Sequence, residues 1–156
     1  MTTIDVYVAG RCSGNPGPSS IGWLIFQDIK ELAKGALKLK GNYTNNVAIY
    51  EAIVNGLLEA QPYFEDGLIL KVNSKVHVDQ LTGRCCANGD LLAEYLERVK
   101  YFAGEMSGEI EYEEVPKDNR NIIRVKNLAG RHLGMKIIKP PKIKKIVEEP
   151  EWDGNW

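Results

Sequence analysis

Long apolar runs are missing from this chain of 156 residues: none approaches the roughly 18–20 residues that a membrane-spanning helix needs, so no membrane partner is expected. Cysteine is scarce. Cys12 stands alone and Cys85 adjoins Cys86, which gives neither a disulfide framework nor the two-pair spacing of a zinc site. Adjacent cysteines are also too close for an ordinary unstrained bridge, so all three read as reduced thiols. Charge of one sign is not in excess either: 20 Lys and Arg face 21 Asp and Glu, for a formal net charge of −1, and bulk attraction to a polyanion cannot be assumed. Residues 1–8 are too few and too acidic for a secretory signal, and a soluble, cytoplasmic protein is expected.

What is present suffices for one core. A hydrophobic share of 44% in a chain of this length predicts a single domain and excludes disorder or collagen-like repetition as a description of the whole. Charge is segregated along the chain. Residues 91–120 carry eight acids and four bases, 121–145 eight bases and no acid, and 146–156 four acids and no base. A basic segment is thus bracketed by acidic ones.

Apolar Ile4, Val6 and Val8 alternate with Asp5 and Tyr7, the two-residue period of a half-buried strand, and residues 11–20 collect the Ser, Gly, Asn and Pro of a turn. Residues 21–28 and the weaker 32–40 complete an antiparallel meander. Thr44, Asn45 and Asn46 suit a helix cap, and the following residues place Ile49, Ile53, Leu57 and Ala60 on one helical face. The apolar run 68–72 predicts a buried strand, with a short helix from Ser74. Leu91, Leu92, Tyr95, Leu96 and Val99 are spaced helically over 90–102, and Ile110 and Tyr112 alternate with glutamates as an edge strand does over 109–115. Residues 122–129 predict a last short helix, with Gly130 as its left-handed cap. The order βββαβααβα predicts an α/β fold, a mixed five-stranded sheet whose antiparallel meander feeds parallel strands, flanked by helices. Residues 1–135 read as the domain. Residues 136–156, interrupted by Pro140, Pro141 and Pro150, read as a C-terminal extension or tail.

Four segments, in order over residues 3–130, resemble one family, type 1 ribonuclease H. Val6-Tyr7-Val8-Ala9-Gly10 followed by Cys12-Ser13-Gly14-Asn15-Pro16-Gly17-Pro18 is similar to V-x-x-D-G then C-x-G-N-P-G-P. Thr44 to Ala52 resembles T-N-N-V-A-E-Y-E-A. Leu70-Lys71-Val72-Asn73-Ser74 and Gln80-Leu81-Thr82-Gly83 resemble V-x-x-D-S … Q-L-x-G, and Val115-Pro116-Lys117 with Asn127-Leu128-Ala129 resembles V-P-R … A-D-x-L-A. The resemblance implies a ribonuclease H-like fold.

It also implies hydrolysis of an RNA–DNA hybrid by two Mg²⁺ ions that four carboxylates hold, one ion activating water and the other stabilising the leaving oxygen. The four matching positions carry Ala9, Ile49, Asn73 and Lys126, none of them an acid. A one-residue shift, counted from Asn121, puts Val125 in place of Lys126 and restores no acid. Asp5 is four strand residues from Ala9, ~13 Å away. Glu51 sits roughly 200° around the helix from Ile49. Four carboxylates give −4, Lys126 alone gives +1, and such a pocket repels Mg²⁺. The expectation is therefore no enzyme, no catalytic residue, no metal and no cofactor.

What remains for function is binding. Asn15, Gly17, Thr44, Asn45, Asn46 and Gln80 match loops with which the family touches the minor groove of a hybrid, and Lys126 offers an ammonium to a phosphate. Hybrid or double-stranded RNA is the partner this implies, with Arg120, Arg124, Arg131, Lys136 and Lys139 extending the basic patch. The same residue types also make turns and caps, and both roles stay open. His77 and His132 match no family histidine and receive no acid–base role. Two other functions compete: a protein-interaction or structural module, with Trp152 and Trp156 as anchors for a partner, and a divergent ribonuclease H with residual hybrid cleavage.

Overall fold

The computed structural model describes residues 2–84, 89–106 and 108–141. Strands β1 (Thr3–Cys12), β2 (Gly17–Gln27) and β3 (Lys30–Tyr43) form the meander, and helix α1 (Asn45–Ala60) leads to β4 (Gly67–Val72). Helices α2 (Lys75–Leu81) and α3 (Asp90–Gly104), strand β5 (Glu109–Glu114) and helix α4 (Arg120–Arg131) complete the chain order expected from its periodicities. The sheet runs β3-β2-β1-β4-β5. Its first three strands pair antiparallel, and β4 pairs parallel with both β1 and β5. Alternation along β1 serves both faces of the sheet. Ile4, Val6 and Val8 pack with α1, while Tyr7 and Ala9 pack with Ile122 and Val125 of α4.

Two glycines set how closely the helices lie on the sheet. A Cβ on Gly10 would stand 2.4 Å from the carbonyl carbon of Ala48 in α1, and one on Gly22 would stand 2.7 Å from the carbonyl oxygen of Val125 in α4. The elements are longer than their apolar patterns suggest. Arg11 and Cys12 are paired with Ser20 and Ser19, so the expected turn over 11–20 shrinks to a loop at 13–16. Polar residues can carry a ladder because pairing uses backbone groups alone. Helix α4 starts at Arg120, capped by the side chain of Asn119, and continues through Gly130. Gly130 is therefore not the left-handed cap; Gly134 has the positive φ, 66°. Beyond α4 the chain turns back. The buried amide of Asn127 accepts from the Ile138 N–H at 2.8 Å and donates to its carbonyl at 2.9 Å. Cys85, Cys86 and the tail with Trp152 and Trp156 lie outside the described residues.

Candidate functional site

Because β1 and β4 are parallel neighbours, their carboxyl ends open on the same edge of the sheet, the place where α/β folds gather ligand groups. The last paired residues are Val8 and Val72, and Ala9 and Asn73 come next. Asn73 donates its amide N–H to the carbonyl of Val115 at 2.8 Å, which turns its oxygen toward α4, where Lys126 Nζ donates to it at 2.9 Å. Val125 is wholly buried against the sheet, so Lys126 is the residue of the two that reaches this edge. Arg11, at the end of β1, donates from Nη1 to the Lys126 carbonyl at 3.3 Å. Gly130 leaves the room for it, since a Cβ there would stand 2.5 Å from Nη1. Burial, then the charges of Arg11 and Lys117, hold the Lys126 ammonium below the usual lysine pKa, and burial lowers that of Arg11. Ala9 lies buried under α4, and Ile49 is half-buried against the main core.

The loop and the start of α1 meet beside this edge. Asn15 Oδ1 accepts from the backbone N–H of Asn45 at 3.0 Å, tying loop 13–16 to the helix. Thr44 caps α1 by accepting from the Val47 N–H at 3.3 Å. Asn15, Thr44, Asn45 and Asn46 are all exposed. His77 links them to Asn73: it is buried, with Nε2 3.0 Å from the carbonyl of Asn46 and Nδ1 2.5 Å from the hydroxyl of Ser74. Burial depresses its pKa, so the neutral ring donates to Asn46 and accepts from Ser74. Two candidates turn inward. Gly17 is buried, where a Cβ would stand 2.2 Å from the carbonyl oxygen of Ser13, and Gln80 is buried with its side-chain carbonyl accepting from the Tyr50 hydroxyl. Arg124 is paired with Glu31 at 2.6 Å, away from the edge. Sequence reasoning missed Arg11 and His77. Their signals were a basic residue inside a small-residue motif and a Ser-x-x-His spacing after a strand.

The residues at the four positions do not fit a pair of divalent cations. An ammonium, a neutral carboxamide whose oxygen already accepts from that ammonium, and two apolar side chains supply no anionic oxygen, and magnesium favours carboxylate and phosphate oxygens. Asp5 is paired with Lys71 at 3.5 Å, and Glu51 accepts from the Tyr95 hydroxyl. Among the described residues no group of three His, Cys, Asp or Glu is placed to hold a metal ion.

No family model matches the chain. It is 36% identical over 81 residues to ribonuclease HI of Halobacterium salinarum, which covers 51% of this chain and 40% of that protein. It is 42% identical over 60 residues to ribonuclease H of Caldicellulosiruptor saccharolyticus, covering 36% of this chain and 38% of that one. The matches thus span about two fifths of the length of these curated relatives. The crystal structure of RNase H1 from Halobacterium salinarum superposes with a TM-score of 0.78 at 27% identity, over 85% of this chain and 98% of that one. LC11-RNase H1, solved in complex with an RNA/DNA hybrid, gives 0.76 at 26%, over 82% and 94%. The fold is that of ribonuclease H. The comparisons also correct the expectation that the chain is no enzyme: relatives named ribonuclease H, and RNase H1 structures as neighbours, point to an enzyme.

Proposed function

Taking as premise a ribonuclease H fold and relatives that support membership of the ribonuclease H family, we propose that the chain binds RNA–DNA hybrid along the edge running from Asn15 to Lys126. The observation that carries this reading is the unbroken line of contacts along that edge. Asn15 meets Asn45, Asn46 meets Ser74 through His77, and Asn73 meets Lys126, whose carbonyl holds Arg11. Exposed amides and a hydroxyl stand at one end and cations at the other. That order suits an A-like minor groove, whose 2′-hydroxyls and base edges take short polar side chains while the flanking phosphates take cations. The hybrid complex of LC11-RNase H1 supports the same ligand. Binding needs no divalent ion, since the phosphate meets an ammonium.

Fluorescence anisotropy in EDTA, with hybrid, double-stranded RNA and DNA duplexes of one sequence, tests this. The hybrid is expected to bind about tenfold or more tightly than the DNA duplex, a difference of roughly 1.4 kcal/mol. Absent binding, or no preference over DNA, overturns the proposal; stronger binding of double-stranded RNA reassigns the ligand. The relatives' names favour a second reading, hybrid hydrolysis, whose acids would lie outside Ala9, Ile49, Asn73 and Lys126. Adding Mg²⁺ or Mn²⁺ to the same mixtures and following strand scission tests it.

A further inference from the structure

We infer that Arg11, Lys126 and Lys117, with Asn73 as their positioning residue, form an anion site that takes a backbone phosphodiester of the duplex. This deepens the hybrid-binding reading and rests on it. The same side chains that disqualify the edge for divalent cations equip it for a phosphate. Lys126 uses one of its three N–H donors on Asn73, and among the described residues Arg11, with five donors, bonds the Lys126 carbonyl alone, so donors remain for a phosphate's oxygens. Their positions are set before any ligand arrives: Val115 orients Asn73, Asn73 orients the ammonium, and Gly130 lets the guanidinium lie on α4.

The charge count points the same way. Elsewhere half-buried cations of this chain face carboxylates, as Lys71 faces Asp5 and Arg124 faces Glu31. Among the described residues no carboxylate pairs with Arg11 or Lys126. Half-buried like charges held together without a counter-charge are costly, and a bound anion offsets that cost. Lys117 is exposed two residues beyond the Val115 carbonyl that holds Asn73, and it adds its charge to the field at Lys126. The site lies at the carboxyl ends of β1 and β4, next to the exposed amides of Asn45 and Asn46, so one duplex can engage both.

The test titrates hybrid against the full chain in EDTA at two salt concentrations, with Arg11→Gln, Lys126→Gln, Lys126→Arg and the distant Lys100→Gln. Inorganic phosphate is titrated separately while the side-chain nitrogen signals of Arg11 and Lys126 are followed by NMR. Arg11→Gln and Lys126→Gln are each expected to weaken hybrid binding about 5- to 20-fold and to lower the salt slope by about one, with Lys126→Arg close to wild type and Lys100→Gln unchanged. Phosphate is expected to shift both signals. Equal hybrid binding by every variant overturns the site and leaves the hybrid reading standing, as does a loss in Lys126→Gln that Lys126→Arg fails to restore. Shifts with phosphate but no binding of hybrid sustain the site and remove the hybrid reading. Neither shift nor binding overturns both.

Discussion

At Lys126 stability and binding pull in opposite directions. Its ammonium is half-buried beside Arg11 and Lys117, and its pKa lies below the ordinary lysine value for those reasons, burial first. The unfolded chain therefore holds that proton more tightly than the folded one. The charge costs stability at neutral pH, and stability rises as pH climbs through the folded pKa toward about 10.5. Lys126→Gln keeps a donor for Asn73 and removes the charge, so its melting temperature at pH 7 is expected to rise by about 1–3 °C in scanning calorimetry. A lower value would mean that the packing of the lysine stem outweighs the repulsion. His77 works in the acid range. Its folded pKa is also depressed, by burial, so its contribution is fully present above about 6.5 and is lost as pH falls below that toward the folded value. Protonation would also leave Nδ1 unable to accept from the Ser74 hydroxyl. Urea midpoints at pH 7.5 and 5 are expected to diverge more for the wild type than for His77→Gln; equal divergence would remove His77 as the titrating group.

Helices and strands were legible in this chain wherever one residue's neighbours in sequence decide its fate, and not where a distant backbone does. The alternation of Ile4, Val6 and Val8 and the helical face of Ile53 and Leu57 announced β1 and α1 because each pattern matches its own period. Gly130 misled, because its reason is the guanidinium of Arg11, more than a hundred residues away. Gln80 likewise sits in a matching motif yet faces Tyr50 inside the fold. Of the candidate site, the family resemblance marked Ala9, Ile49 and Asn73, while which of Val125 and Lys126 reaches that edge depends on how the helix lies on the sheet. Such tertiary determinants are testable one element at a time. Gly10→Ala drives a methyl into the backbone of α1 at Ala48, and is expected to cost about 2–4 kcal/mol in urea unfolding. Asn127→Ala removes both bonds to Ile138 and is expected to cost about 1–3 kcal/mol, with loss of exchange protection at the Ile138 amide. Protection that persists would mean another contact holds the segment after α4.

A net charge of −1 hides two patches of opposite sign. Strand β5 is an outer edge of the sheet and exposes Glu109, Glu111, Glu113 and Glu114, a row of like charges that discourages pairing with another chain's strand. Arg11 lies at the end of β1, Lys126 lies on α4, and Lys117 lies in the turn between β5 and α4. A polyanion approaching such a molecule is drawn toward the cations and turned from β5, so segregation supplies the orientation that the total cannot. Steering acts during approach, before contacts form, and is felt in the association rate. Replacing Glu111 and Glu113 together by lysine is therefore expected to raise the stopped-flow association rate for hybrid a few-fold at about 50 mM salt. The dissociation rate should stay unchanged. The gain should vanish near 500 mM, where screening shortens the reach of a charge to a few ångströms. A matching change in dissociation would instead place β5 in contact with the duplex, and the binding edge would have to extend across β4 to include it.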